Sequence, residues 1–192
     1  MEKYKFNSKE IKTEDFYYAY SPIHKSYKKF ELSDEYAANY KEGNEKEFDY
    51  ISLITKKKYK SGTKLTVNCA FGHYGAPLIV ITDDVTDGEY DSKIYGLHFE
   101  IVSYKDGCNV WNVSPFPERV EHPIKSTKIG YANFEIKNDE MITITAEIVG
   151  KKLYIDINGN KIEAEDPNFP DEFHVGITAC EGPNRFYDMT IE

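Results

Sequence analysis

The 192-residue sequence predicts an all-β fold, a two-sheet antiparallel β-sandwich, from three observations. Apolar residues recur with a period of two in run after run. Turn signals separate the runs at short intervals, and beyond about residue 45 no stretch holds a helical period long enough to compete. Successive strand side chains point to opposite faces, so each run carries one core face and one face left for solvent or a ligand.

The N-terminal part is the least regular. Phe16-Tyr17-Tyr18-Ala19-Tyr20 reads as a strand, and Ser33 to Tyr40 as one or two helical turns with Ser33 as N-cap. Asn39 to Glu47 is charged, contains Gly43 and reads as a loop. Lys56-Lys57-Lys58 reads as a solvated edge or turn, where lysines discourage strand association. The alternating runs then follow: Leu65, Val67, Cys69 and Phe71; Leu97, Phe99 and Ile101; Ile142, Ile144, Ala146 and Ile148; Phe173, Val175, Ile177 and Ala179. Ser61-Gly62, Asp87-Gly88, Asp106-Gly107 and Gly150-Lys151 punctuate them. Asn158-Gly159 is a strong hairpin signal, because both residues tolerate the positive φ of a type I′ turn. With neither an internal repeat nor a linker, the expectation is one domain over 1–192, with residues 1–45 packing on the sandwich or completing it.

Composition narrows the partners. There are 33 acidic and 24 basic residues, a formal net charge of -9, which disfavours nucleic acid or an anionic membrane as the main partner. No run of about 18 apolar residues occurs, so no membrane-spanning segment is expected. The 16 Tyr and 11 Phe suit both strands and sugar recognition. Cys69, Cys108 and Cys180 form no complete disulfide framework and have no zinc-type spacing, so they read as structural thiols. Reduced thiols and a polar Met1 to Glu14 point to the cytoplasm.

From Phe48 onward the chain resembles the concanavalin A-like lectin/glucanase superfamily, the jelly-roll or laminin-G-like sandwich. The hairpin Leu153-Tyr154-Ile155-Asp156-Ile157-Asn158-Gly159 carries the resemblance, together with the closing pair Phe173 to Cys180 and Asn184 to Ile191. It implies a jelly-roll topology. It also implies a choice among lectins, carbohydrate-binding modules, glycoside hydrolases, lyases and protein-binding members, which the site must decide. A glucanase of this superfamily would place three carboxylates in a Glu-x-Asp-x-Glu string. Here the nearest string has Tyr154 and Asn158 at the outer positions and leaves Asp156 alone, which argues against that chemistry.

Candidate ligand-binding residues follow from residue type and spacing. His98 and Glu100 lie two apart on one strand face, where they suit ligand hydrogen bonding or, in an enzyme, acid and base roles. Asn109 and Trp111 also share a face. An exposed indole gives a sugar ring a flat apolar partner and an N–H donor, whereas a core tryptophan is the plain structural alternative, and the sequence leaves both open. Tyr74 in His73-Tyr74-Gly75 and Arg185 in Glu181-Gly182-Pro183-Asn184-Arg185 fall in segments that read as loops, the usual borders of a cleft. Glu181 and Arg185 are a potential ion pair. Asp83, Asp84 and Asp87 form an acidic loop that reads as a solvated turn. The resemblance keeps them as weak candidates for a structural calcium, and no other cofactor is expected. The leading reading is a non-catalytic carbohydrate-binding protein. The alternatives are a saccharide hydrolase or lyase acting through His98 and Glu100, and a domain that self-associates into a homo-oligomer through an aromatic sheet face.

Overall fold

The computed structural model describes residues 1–20, 29–46, 48–85, 92–93, 98–119 and 124–192. Its strands, in chain order, are β1 (Glu2–Lys5), β2 (Phe16–Tyr20), β3 (Glu31–Leu32), β4 (Ala37–Ala38), β5 (Ile51–Thr55), β6 (Tyr59–Lys60), β7 (Lys64–Phe71), β8 (Gly75–Thr82) and β9 (Ser92–Lys93). They continue with β10 (His98–Tyr104), β11 (Gly107–Pro115), β12 (Ile124–Asn133), β13 (Ile142–Val149), β14 (Lys152–Ile157), β15 (Asn160–Glu165), β16 (Glu172–Glu181) and β17 (Asn184–Ile191). Among the described residues there is no α-helix, only a 3-10 turn at Thr13–Asp15, and no helix is long and apolar enough to cross a membrane.

Two sheets stack as a sandwich. One runs β15-β14-β13-β7-β17-β4-β3, with β1 also on β17; the other runs β12-β11-β10-β8-β16-β5-β2-β9, with β6 on β16. Pairing is antiparallel throughout the described strands except between β2 and β9. This is the two-sheet β-sandwich that the alternating runs predict, with the jelly-roll topology that the resemblance implies. The core lies between the sheets. Val67, Cys69, Ile144, Ile155 and Phe186 from the first sheet meet Leu53, Ile79, Ile81, Val175 and Ile177 from the second. The Asn158-Gly159 turn forms as expected, with φ of 49° and 89°, and closes β14 on β15. Strands from the N-terminal segment enter both sheets: β1 pairs with β17 and β2 with β5. Phe6 is fully buried 6.0 Å from the ring of Phe16.

Two expectations need correction. Ser33 to Tyr40 is not helical. The Ser33 hydroxyl accepts from the Glu35 and Tyr36 N–H groups at 3.1 and 3.0 Å, but it caps a turn that leads into β4. Ala37 and Ala38 instead pair with Phe186 and Arg185 of β17, so sheet pairing overrides the local helical preference. The rule of one core face per strand also fails at the centre of the larger sheet. All eight residues of β8 are buried, and on the face away from the core Leu78 and Val80 join Ala19, Ile54 and Ala76 in a second apolar cluster. Any ligand face on this sheet is therefore displaced from its centre towards an end or an edge. Of the turn signals, Asp87-Gly88 lies outside the described residues, as does Leu97.

Cys69 and Cys108 are buried, and desolvation pushes both thiols up, Cys108 to about 12, so they sit in the core as small apolar groups. His174 is buried on β16. Its Nδ1–H donates to the Thr55 carbonyl at 2.8 Å, and the ring lies 6.2 Å from that of Tyr17. Desolvation holds its folded-state pKa below 6.5, with the Thr55 hydrogen bond opposing, so the fold holds the neutral ring. The stability this contributes is fully present above pH 6.5 and is lost as the pH falls from there through the lower folded value. Urea denaturation at stepped pH is expected to show that slope, and His174→Asn to flatten it; an identical slope in the variant contradicts the assignment.

Candidate functional site

At one end of the larger sheet, on the face away from the core, lies an open groove of about 550 Å³. Its floor comes from neighbouring strands, with Ala76 on β8, Tyr104 on β10, Asn109 on β11 and Cys180 on β16. Two turns make its rim. His73 and Tyr74 join β7 to β8, and Lys105 and Asp106 join β10 to β11. The volume is in the range of small-molecule sites, about 300–1,000 Å³.

The Tyr74 rim is held by backbone contacts. Gly182 N–H donates to the Tyr74 carbonyl and Gly72 N–H to the Pro183 carbonyl, both at 2.9 Å. Only glycine fits at 182, because a Cβ there would meet the His73 carbonyl oxygen at 2.2 Å. Across this junction Tyr74 (φ 61°) and Glu181 (φ 57°) both take left-handed backbone, at a cost of roughly 1–2 kcal/mol each. Asn39 locks the arrangement from behind. Its amide donates to the Gly182 and Asp49 carbonyls at 3.1 and 3.0 Å, and its oxygen accepts from Asn184 N–H at 2.9 Å. The outcome is a tyrosine 76% exposed, its ring centroid 3.9 Å from that of His73. Two strained residues that support one exposed aromatic suggest a site rather than a stability feature.

Asn109 is the polar element of the floor. Its Oδ1 is buried with no hydrogen-bond partner. Such an acceptor costs the fold about 1–3 kcal/mol. Opposite it on β12 stands Tyr131, 64% exposed. Two residues along β11 on the same face is Trp111, half-buried, with Lys128 of β12 directly opposite. A register shift between Val110 and Trp111 lets the Lys128 ammonium reach both rings, 5.0 Å from the Trp111 centroid and 5.7 Å from that of Tyr131. On the core side, Asn112 Nδ2 donates to Asp166 Oδ2 at 2.6 Å and anchors β11 to the segment after β15.

The structure thus brings Tyr74, Asn109 and Trp111 to one end of one face. His98 and Glu100 lie on β10, where register sets Glu100 opposite Trp111 and Val80, and His98 opposite Val113 and Thr82; their side chains lie outside the described residues. Arg185 falls elsewhere. It lies on β17 of the other sheet rather than in a loop, paired with Asp139 instead of Glu181 and stacked 5.8 Å from the Tyr36 ring centroid. Asp83 and Asp84 follow β8, where the Asp84 N–H donates to the Thr82 hydroxyl at 3.2 Å; Asp87 lies outside the described residues. Among the described residues no group of three or more His, Cys, Asp or Glu is placed to hold a metal ion. Sequence reasoning missed Tyr104, Tyr131 and Lys128. The Tyr104-Lys105-Asp106-Gly107 turn was legible, but only the register brings its tyrosine beside Asn109.

No protein-family model matches the chain, and no curated protein matches it in sequence. Solved structures match it in fold. The kappa-carrageenase of Pseudoalteromonas carrageenovora, in complex with an oligotetrasaccharide of kappa-carrageenan, aligns over 98% of this chain and 92% of its own with TM-score 0.61 at 7% identity. The Ca2+/Man-bound exoplasmic/lumenal domain of VIP36 aligns over 93% and 82% with TM-score 0.61 at 14% identity. Carbohydrate-binding module CBM66 from Bacillus subtilis aligns over 74% and 81% with TM-score 0.55 at 10% identity. The chain has the concanavalin A-like jelly-roll sandwich fold that these structures share.

Proposed function

We propose that the protein is a non-catalytic carbohydrate-binding protein, with its ligand in the groove between Tyr74 and Asn109. The observation that carries this reading is the open groove floored by Tyr104 and Asn109 and rimmed by an exposed tyrosine. A sugar has an apolar face of C–H groups and an edge of hydroxyls. Tyr74 and Tyr104 suit the first and the Asn109 amide the second. Solved structures of the same fold with saccharides bound support the ligand class. Support for a binding rather than a hydrolytic role comes from the Tyr154–Asn158 strand. There Asp156 accepts the Gly159 N–H at 2.7 Å and serves the hairpin turn.

The test is a glycan array followed by calorimetric titration of the best ligand. Tyr74→Ala is expected to weaken binding by about tenfold, the worth of one lost aromatic contact. If no glycan binds, the reading fails. Release of reducing ends from a polysaccharide by the wild-type protein, abolished by Glu100→Gln, would replace it with a hydrolase or lyase.

A further inference from the structure

Beside the groove is a second aromatic patch that the binding reading does not need. Trp111 and Tyr131 flank Asn109 along and across the β11–β12 pair, on the same face. Asn109 to Trp111 is two strand residues, about 7 Å, and the two strands are about 5 Å apart. The patch therefore continues the groove beyond the reach of a single sugar ring. Lys128 rests between the two aromatic rings, held to them by cation–π contact. Among the described residues it has no ion-pair partner.

We infer that the ligand is an uncharged oligosaccharide of two or more residues, one end in the groove and the next residue stacked on Trp111 and Tyr131, where it displaces Lys128. This rests on the carbohydrate-binding reading above. Charge selects the class. The groove is lined by Lys105 on one side of the balance and by Asp106 and Glu181 on the other, in a chain of net charge -9, so a polyanionic glycan meets no net positive field. Exposed cation–π contacts are weak, so the ammonium leaves easily.

The experiment is fluorescence titration of the full chain, whose only tryptophan is Trp111. The probes are neutral gluco-, manno- and galacto-oligosaccharides from monosaccharide to hexasaccharide, with a sulfated galacto-oligosaccharide as the anionic probe. For the neutral series that binds, affinity is expected to rise about tenfold or more from monosaccharide to longer chain, with a change in indole emission. By calorimetric titration, which needs no indole, Trp111→Ala and Tyr131→Ala are each expected to abolish that gain while monosaccharide affinity stays put, and Lys128→Met to preserve it. Equal affinity for monosaccharide and oligosaccharide overturns the inference and leaves the binding function standing. Tighter binding of the sulfated probe, lost in Lys128→Met, overturns the uncharged class. No binding by any probe overturns both.

Discussion

Gly176→Ala is expected to destabilise the protein by about 3 kcal/mol and lower its melting temperature by roughly 6–12 °C. Gly176 lies mid-strand on β16, between Val80 of β8 and Ile54 of β5. A Cβ at this position would meet the Leu53 carbonyl oxygen at 2.3 Å, Ile54 Cδ1 at 2.5 Å and Ile54 Cα at 2.9 Å. Rotating the Ile54 side chain relieves only one of these contacts; the other two are backbone, so β5 itself must move. The substitution thus strikes the second apolar cluster, where Ile54 fills the space that the glycine leaves. Lys125→Ala, on exposed β12, is the control and is expected to stay within about 0.5 kcal/mol of wild type. Thermal unfolding of both variants checks this, and a Gly176→Ala protein as stable as the control would mean that β5 does not pack as described.

Asn109→Ala is expected to separate stability from binding. Affinity for the saccharide should fall roughly tenfold, because the ligand loses its polar contact with the amide on the groove floor. The melting temperature should stay level or rise, since the free protein already leaves that oxygen without a partner. Few side chains have this signature. A structural asparagine gives the opposite pattern, a lower melting temperature with unchanged affinity, and that result would remove Asn109 from the site.

Much of the fold was legible because the relevant forces are local. Ile142–Val149 alternates strictly, Lys64–Phe71 alternates up to Cys69, and Asn158-Gly159 forces the turn between β14 and β15. The failures came where distant pairing decides. Ala37 and Ala38 read as helical until β17 is present to pair with them. Arg185 read as a loop residue although its strand begins one position earlier, at Asn184. The run Ala76 to Ile81 did hold a signal: an unbroken apolar stretch marks a strand covered on both faces, and alternation was the wrong pattern to seek there. For the site, two-residue spacing was enough to put Asn109 and Trp111 on one face. Tyr131 and Lys128 needed the cross-strand register and its shift at Val110/Trp111, which no local pattern encodes.

In the proposed function a saccharide lies at the Tyr74–Asn109 end of the larger sheet. Amide chemical-shift mapping with the best-binding oligosaccharide tests it most directly. Perturbations concentrated at Tyr74, Tyr104, Asn109 and Trp111, with the outer face of the other sheet around Tyr154 and Asp156 silent, are the predicted result. Perturbations centred on Tyr154 and Asp156, with the groove unmoved, would contradict it.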